Sequence, residues 1–262
     1  VVRGVVAGVE VEATDRGTGL VEPATAIAAM LPGKGLGVGL AGVRRAVDEF
    51  DVDVRIGEST TLTVRRFAAP VRSQPEVAVM GRGLDVPSGD HAVVVRRGDV
   101  LWIAAIDGGG HGPEARAAAE VAGDVARARM ADEDLPEVLA DIHRALRDSR
   151  GAACSIAAWD LGAGVVRMCG VGNVAARLYD GRGQAHAMPP VAGLLGVRMQ
   201  VPPRVRETPT PLRSVLVFAT DGVSTRADPV PALVQRSAVH LAQEVLRVAA
   251  KDHDDALVVV AR

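Results

Sequence analysis

Residues Val100–Ala115 read VLWIAAIDGGGHGPEA: seven apolar residues, an acid, a glycine-rich turn, then a proline heading an alanine-rich run. The apolar run has the length and composition of a buried strand. Proline fits the first turn of a helix, so a strand is expected at 100–106 and a helix from about 113 to 131. Upstream, strands are expected at 76–80 and 92–97, the latter joined to 100–106 through Arg97-Gly98-Asp99. Downstream, Asp134 or Leu135-Pro136 opens a second helix that ends near Ser149-Arg150-Gly151. Strands follow at 153–160, 164–170, 174–179 and 214–219, then a helix at about 231–249 and a closing strand at 256–261. Strands in runs, with helices grouped in pairs, point to an α+β sandwich over a parallel βαβ sheet.

The placement of the aspartates carries the chemistry. Asp107 follows VLWIAAI and Asp221 follows VLVFAT, each with glycine directly after it. Asp90, in Ser88-Gly89-Asp90, stands before AVVVRR, and Asp254-Asp255 stands before ALVVV. Taken alone, an Asp-Gly pair is ordinary turn chemistry, and Asp90 or Asp254-Asp255 could be loop residues. Together they set acids at the mouths of four apolar strands. Gathered at one place, such acids would repel one another unless a cation lay between them. Hard oxygen donors favour Mg²⁺ or Mn²⁺. Two such ions about 3.5–4 Å apart can lower the pKa of a shared water towards about 7, which makes it a nucleophile without a side-chain nucleophile.

Composition narrows the alternatives. The chain has 262 residues, 48% apolar and 24% charged, with a net charge of −2, which fits two domains that bury a core. Residues 1–68 hold 8 basic and 9 acidic side chains, and the remainder is equally balanced, so neither part carries a basic nucleic-acid footprint. No apolar run reaches the roughly 18–20 residues of a membrane span, and no signal stretch opens the chain. A cytoplasmic location is the expectation. Cys154 and Cys169 lack metal-ligand spacing and read as small core residues. The oligomeric state is not encoded in any pattern here.

The first 67 residues read differently. Residues 5–14 alternate as one strand and end in Asp15-Arg16-Gly17-Thr18-Gly19. Glycine recurs at 33, 35, 37, 39 and 42, and Leu40, Val43, Val47 and Phe50 then follow helical spacing. Two strands, about 52–56 and 60–67, complete the segment. Residues 68–75 (AAPVRSQP) form the expected linker, leaving 76–262 as the second domain.

The motifs SGD (88–90), DGGGHGPEA (107–115), GVGN (170–173), FATDGV (218–223) and DDALVVV (254–260) occur in order. This set resembles the SpoIIE/RsbX branch of the 2C-type metal-dependent protein phosphatases. The resemblance implies an α-β-β-α sandwich with two Mn²⁺ or Mg²⁺ ions in a cleft at one edge of the sheets. It further implies that Asp107 bridges both ions, that Gly108 lends its carbonyl, and that Asp221 and Asp254 each ligate one ion. Asp90 would act directly or through water, with Asp255 beside the ligand set. His111, just ahead of a helix, is a candidate general acid for the leaving serine oxygen; the alternative is a turn histidine bonded to backbone.

Residues 1–67 resemble the C-terminal half of a GHKL-type ATPase of the anti-sigma-factor serine kinase kind. In that resemblance Asp15 would meet adenine, while Gly17, Gly19, Gly35, Gly37 and Gly39 would let backbone amides approach phosphates. The helix that would supply the magnesium contact should lie upstream. With valine at position 1, the chain therefore reads as processed or a fragment, and ATP is expected only for a full-length protein. The expected activity is hydrolysis of phosphoserine or phosphothreonine on a STAS-type anti-anti-sigma partner. The rival readings are an ATP-responsive anti-sigma binding switch and a serine kinase, each with a non-catalytic phosphatase domain.

Overall fold

Strand runs dominate the chain because apolar β-branched segments alternate with short polar turns, and two sheets formed from them place the acids. The computed structural model describes residues 2–5, 8–17, 43, 46–47, 49–55, 59–67, 75–83, 87–132, 134–199, 203–211 and 213–262. The chain divides into two compact units, one formed by Val1–Gln74 with Gln235–Ser237 and one formed by Pro75–Val234 with Ala238–Arg262.

In the first unit, β1 (Val2–Val5), β2 (Gly8–Asp15), β3 (Glu49–Arg55) and β4 (Ser59–Phe67) form an antiparallel sheet of order β1-β2-β4-β3. The single strand expected over 5–14 is in fact a hairpin, with Val5 paired to Gly8. Val43 and Ala46 are helical, but Phe50 lies in β3 opposite Val64. The 3.6-residue spacing of Leu40 to Phe50 therefore overran the helix into the strand. Gly19, Gly35, Gly37 and Gly39 lie outside the described residues.

The second unit is an α-β-β-α sandwich. One sheet combines β5 (Val77–Arg82), β10 (Ala175–Tyr179), β11 (Ala185–Ala187), β15 (Val215–Ala219) and β16 (Ala256–Ala261), in the order β11-β10-β15-β16-β5. The other combines β6 (Asp90–Arg97), β7 (Val100–Gly108), β8 (Ala152–Asp160), β9 (Val165–Val171) and β14 (Arg206–Pro209), in the order β14-β9-β8-β7-β6. A two-stranded ribbon, β12 (Gly193–Leu194) with β13 (Arg198–Met199), is tied to β8 by the pairing of Leu195 with Ala152. Helices α1 (Pro113–Arg129) and α2 (Leu135–Ala145) cover the β6–β9 sheet, and α4 (Ala238–Ala249) covers β5 and β16. A short α3 (Val230–Leu233) precedes α4. No helix among the described residues is long and apolar enough to cross a membrane.

Period-two alternation sorts the side chains into three apolar layers. Leu101, Ile103 and Ala105 of β7 meet Leu216, Phe218, Leu257 and Val259 between the sheets. The alternate residues of β7, Ala104 and Ile106, face α1 and α2. On the far side, Val215, Val217, Val258 and Val260 pack on Leu241 and Val245 of α4. Burial on both faces explains why these strands read as continuous apolar runs. Cys154 and Cys169 are free and buried in the helix-facing layer, where burial pushes the Cys169 thiol up to about 12.

The helix expected at 231–249 is broken. Buried Val230, Val234, Ala238, Ala242 and Val245 hold near-helical spacing straight through the break between α3 and α4. The hydrophobic pattern therefore runs unbroken where the hydrogen bonding does not.

Glycine sets how closely the backbones approach. A Cβ on Gly222 would lie 1.8 Å from the carbonyl oxygen of Asp255, whereas one on Gly98 would meet nothing within 4 Å. Gly222→Ala is expected to cost about 2–4 kcal/mol in urea unfolding, since backbone must move. Gly98→Ala, strained only by its φ of 60°, should cost about 1 kcal/mol. Equal losses from the two would contradict this packing.

Candidate metal centre

Antiparallel pairing brings the acids to one edge, because where one strand ends its neighbour begins. Asp90 opens β6 directly opposite Asp107 near the end of β7. In the second sheet Asp221 lies two residues beyond β15, and Asp254-Asp255 lies just before β16, its antiparallel neighbour. The two pairs feel each other across the sheets: Asp90 is influenced by Asp255, Asp221 and Asp254, and Asp107 by all four. After burial, Asp254 raises Asp221.

Three of the acids, Asp90, Asp221 and Asp255, are held by nearby donors. The Thr220 hydroxyl donates to Asp90 Oδ2 at 2.9 Å and accepts the Leu257 N–H at 2.8 Å, tying the two sheets together at the site. The Asn173 amide donates to Asp221 Oδ2 at 2.6 Å. Asp255, 6% exposed, accepts the Gly89 N–H at 2.6 Å, which closes the SGD loop over the start of β6. Thr220 and Asn173 received no role from the sequence. Thr220 was detectable as the polar end of VLVFAT, and Asn173 as the last residue of GVGN.

Of the two Asp-Gly pairs, Asp107-Gly108 continues a strand, while Asp221-Gly222 sits in a turn closed by the Val223 N–H donating to the Thr220 carbonyl at 3.0 Å. Gly108 is the last residue of β7, and a Cβ there would lie 2.1 Å from the Ala115 carbonyl oxygen. Gly222 is pressed in the same way against Asp255. The glycines follow the acids because backbone from another element passes where a side chain would stand.

Electrostatics agree with this crowding. Burial, followed by the charges of Asp90, Asp221, Asp254 and Asp255, pushes the Asp107 carboxyl up to about 8. Burial pushes Asp90 up to about 7, with Asp255, Asp221 and Asp254 adding to it against the opposing Thr220 hydrogen bond. Asp221 is raised by burial and by Asp254, while Lys251 and Asn173 pull it down. A set of hard oxygen donors whose burial and mutual repulsion disfavour their charged forms suits a divalent cation in kind and in charge. The spacing is more open than a finished cage: among the described residues no three His, Cys, Asp or Glu side chains close on a single point.

The other candidates lie apart from these bonds. His111 is exposed in the turn before α1. Asp15 is exposed, and its carboxylate accepts the Gly17 N–H at 2.9 Å, capping its own turn.

Comparison with known proteins follows this architecture. No curated protein sequence matches the chain. A bacterial stressosome structure, described as a modular system adapted to control secondary messenger signalling, is 27% identical with a TM-score of 0.68; it covers 72% of this chain and 100% of that one. RsbX in complex with magnesium is 18% identical with a TM-score of 0.65, covering 81% and 98%. The phosphatase domain of SpoIIE from Bacillus subtilis, with a fragment of its regulatory domain, is 16% identical with a TM-score of 0.58, covering 98% and 79%. The sequence model for stage II sporulation protein E matches residues 97–262. The chain therefore belongs to the SpoIIE family of 2C-type protein serine phosphatases.

Proposed function

We propose that the chain hydrolyses phosphoserine or phosphothreonine on a protein substrate, with Mn²⁺ or Mg²⁺ held by Asp107, Asp221 and Asp254. The observation that carries this is the meeting of Asp90, Asp107, Asp221 and Asp254 at one edge of the two sheets. When bound, two divalent ions neutralise phosphoryl oxygens and make water acidic enough to attack at neutral pH. The chain's own groups do the rest. Asp107, on rigid β7, presents its carboxylate with the Gly108 carbonyl alongside. Asn173 orients Asp221, and Thr220 orients Asp90. His111, at the exposed lip of the site, supplies the proton for the departing serine oxygen.

The substrate is a phosphorylated STAS-type regulator. Relatives with this fold include a stressosome protein and RsbX, which supports a target of that signalling class. Residues 1–67 and 76–262 act as separate modules in this reading, joined through 68–75. Nucleotide binding through Asp15 and Gly17 is not part of the proposed activity.

Phosphate release from a phosphoserine peptide should require Mn²⁺ or Mg²⁺ and stop on chelation. Asp107→Asn and Asp221→Asn should each lower turnover by roughly 100-fold or more. Full activity in chelator would refute the metal-dependent reading.

The acid pair also sets a pH dependence in chelator. Asp107 has a folded pKa of about 8, above its unfolded value of about 4, so the folded state binds the extra proton between these limits. Its penalty is absent below about pH 4 and complete above about pH 8. Stability should therefore fall as pH rises through that window. Asp107→Asn should be more stable than the native chain at pH 8.5 by roughly 1–3 kcal/mol, and excess Mn²⁺ should reverse the order. Thermal unfolding with and without chelator reads both effects.

A further inference from the structure

The loop Asp148–Gly151 is shaped with unusual care for a surface connection. Asp148 has a φ of 70° and Gly151 a φ of 77°, both left-handed, a conformation that costs energy for a residue carrying a Cβ. The Ser149 hydroxyl donates to the Leu146 carbonyl at 2.6 Å and accepts the Gly151 N–H at 3.0 Å. The Gly109 N–H donates to the Gly151 carbonyl at 2.8 Å, which stitches the loop to the turn directly after Asp107-Gly108.

This stitching places one guanidinium. A Cβ on Gly109 would lie 2.5 Å from the Arg150 carbonyl oxygen, and one on Gly110 would lie 2.9 Å from Arg150 Nη1. The guanidinium thus occupies the space that a side chain at position 110 would fill. The Gly110 carbonyl in turn lies 3.4 Å from the Cβ position of Gly89, whose N–H is bound by Asp255. Arg150 therefore stands beside the Gly109-Gly110 turn that directly follows Asp107-Gly108, against Glu114 in the first turn of α1. Its Nε donates to Glu114 Oε2 at 2.5 Å, and the two side chains are 51% and 72% exposed. Its terminal nitrogens make no hydrogen bond among the described residues. The neighbouring Arg116 is already engaged, with Glu120 at 2.6 Å and the Asp90 carbonyl at 3.4 Å.

We propose that Arg150 binds the phosphoryl group of the substrate, a role that rests on the phosphatase reading above. Its two terminal nitrogens match two phosphoryl oxygens in a bidentate pair, a geometry that lysine cannot copy. The exposed Glu114 pair holds the guanidinium in place while contributing little energy itself, so a phosphate dianion displaces it readily. Cations alone do not read a phosphorylated serine; a fixed arginine above the cleft adds recognition and orientation.

The test measures phosphoserine-peptide hydrolysis with saturating Mn²⁺ and inhibition by inorganic phosphate, for the native chain and for Arg150→Ala, Arg150→Lys and Glu114→Gln. Mn²⁺ affinity is followed separately by calorimetry. Arg150→Ala should raise KM and weaken phosphate inhibition by roughly 10- to 100-fold, with Mn²⁺ affinity unchanged within about twofold. Arg150→Lys should recover only part of this, and Glu114→Gln should leave KM at or below the native value. Should Arg150→Ala fail to fold, the lysine and glutamine variants decide the matter. An unchanged KM and phosphate inhibition in Arg150→Ala overturns the role of Arg150 while leaving the phosphatase reading intact. Equal rises in Arg150→Ala and Glu114→Gln make the pair a structural clamp and also overturn it. Absence of any hydrolysis by the native chain removes the phosphatase reading and the role of Arg150 with it.

Discussion

Carboxylates drawn out of water beside one another repel, and in this chain that repulsion is built into the packing of two sheets. Asp90 faces Asp107 because β6 and β7 are antiparallel, and Asp221 stands near Asp254 because β15 and β16 are antiparallel too. The apolar layer between the sheets then presses the pairs towards each other. Hydrophobic burial therefore holds an unfavourable charge cluster in place, and relief of that repulsion would favour a divalent cation in the proposed role. Under the proposed function, stability and activity are coupled at this edge: the repulsion among the acids is what an ion would relieve.

Close backbone approach is the second ingredient. Gly108 and Gly222 each follow a site aspartate, and each is met by a carbonyl from elsewhere in the fold, Ala115 or Asp255. The same rule operates at Gly123 of α1, where a Cβ would lie 2.4 Å from the His91 ring. The small residues of α1, Ala115, Ala118, Ala119 and Ala122, let that helix settle onto the β6–β7 surface. The rim of the cleft is thereby built from the N-terminal turn of α1, and Glu114 and Arg150 meet there.

How much of this was visible in the sequence depends on how each signal is encoded. The strands β7, β8, β15 and β16 were legible because burial on both faces leaves long apolar runs, and the acids at their ends were legible with them. Strands β11 to β14 were not: they are two to four residues long, largely exposed, and β14 ends on Pro209, so no alternation marks them. The break between α3 and α4 was hidden by buried residues that keep helical spacing across it. Turn chemistry explains Asp221-Gly222 but not Asp107-Gly108, which continues β7; close backbone approach calls for glycine in both pairs. Thr220 and Asn173 depend on partners 130 and 48 residues away, and one sequence does not reveal such distant pairings. Arg150 was noted only as the end of a helix, because its position beside Gly110 exists only after folding.

Cation uptake by this cluster is the decisive property. Diffraction from crystals grown with Mn²⁺, recorded at the manganese absorption edge, tests it most directly. Two anomalous peaks about 3.5–4 Å apart, both in contact with the Asp107 carboxylate, are expected, with Asp221 and Asp254 turned in towards them. Anomalous density absent from this edge, or confined to other surface acids, would contradict the account.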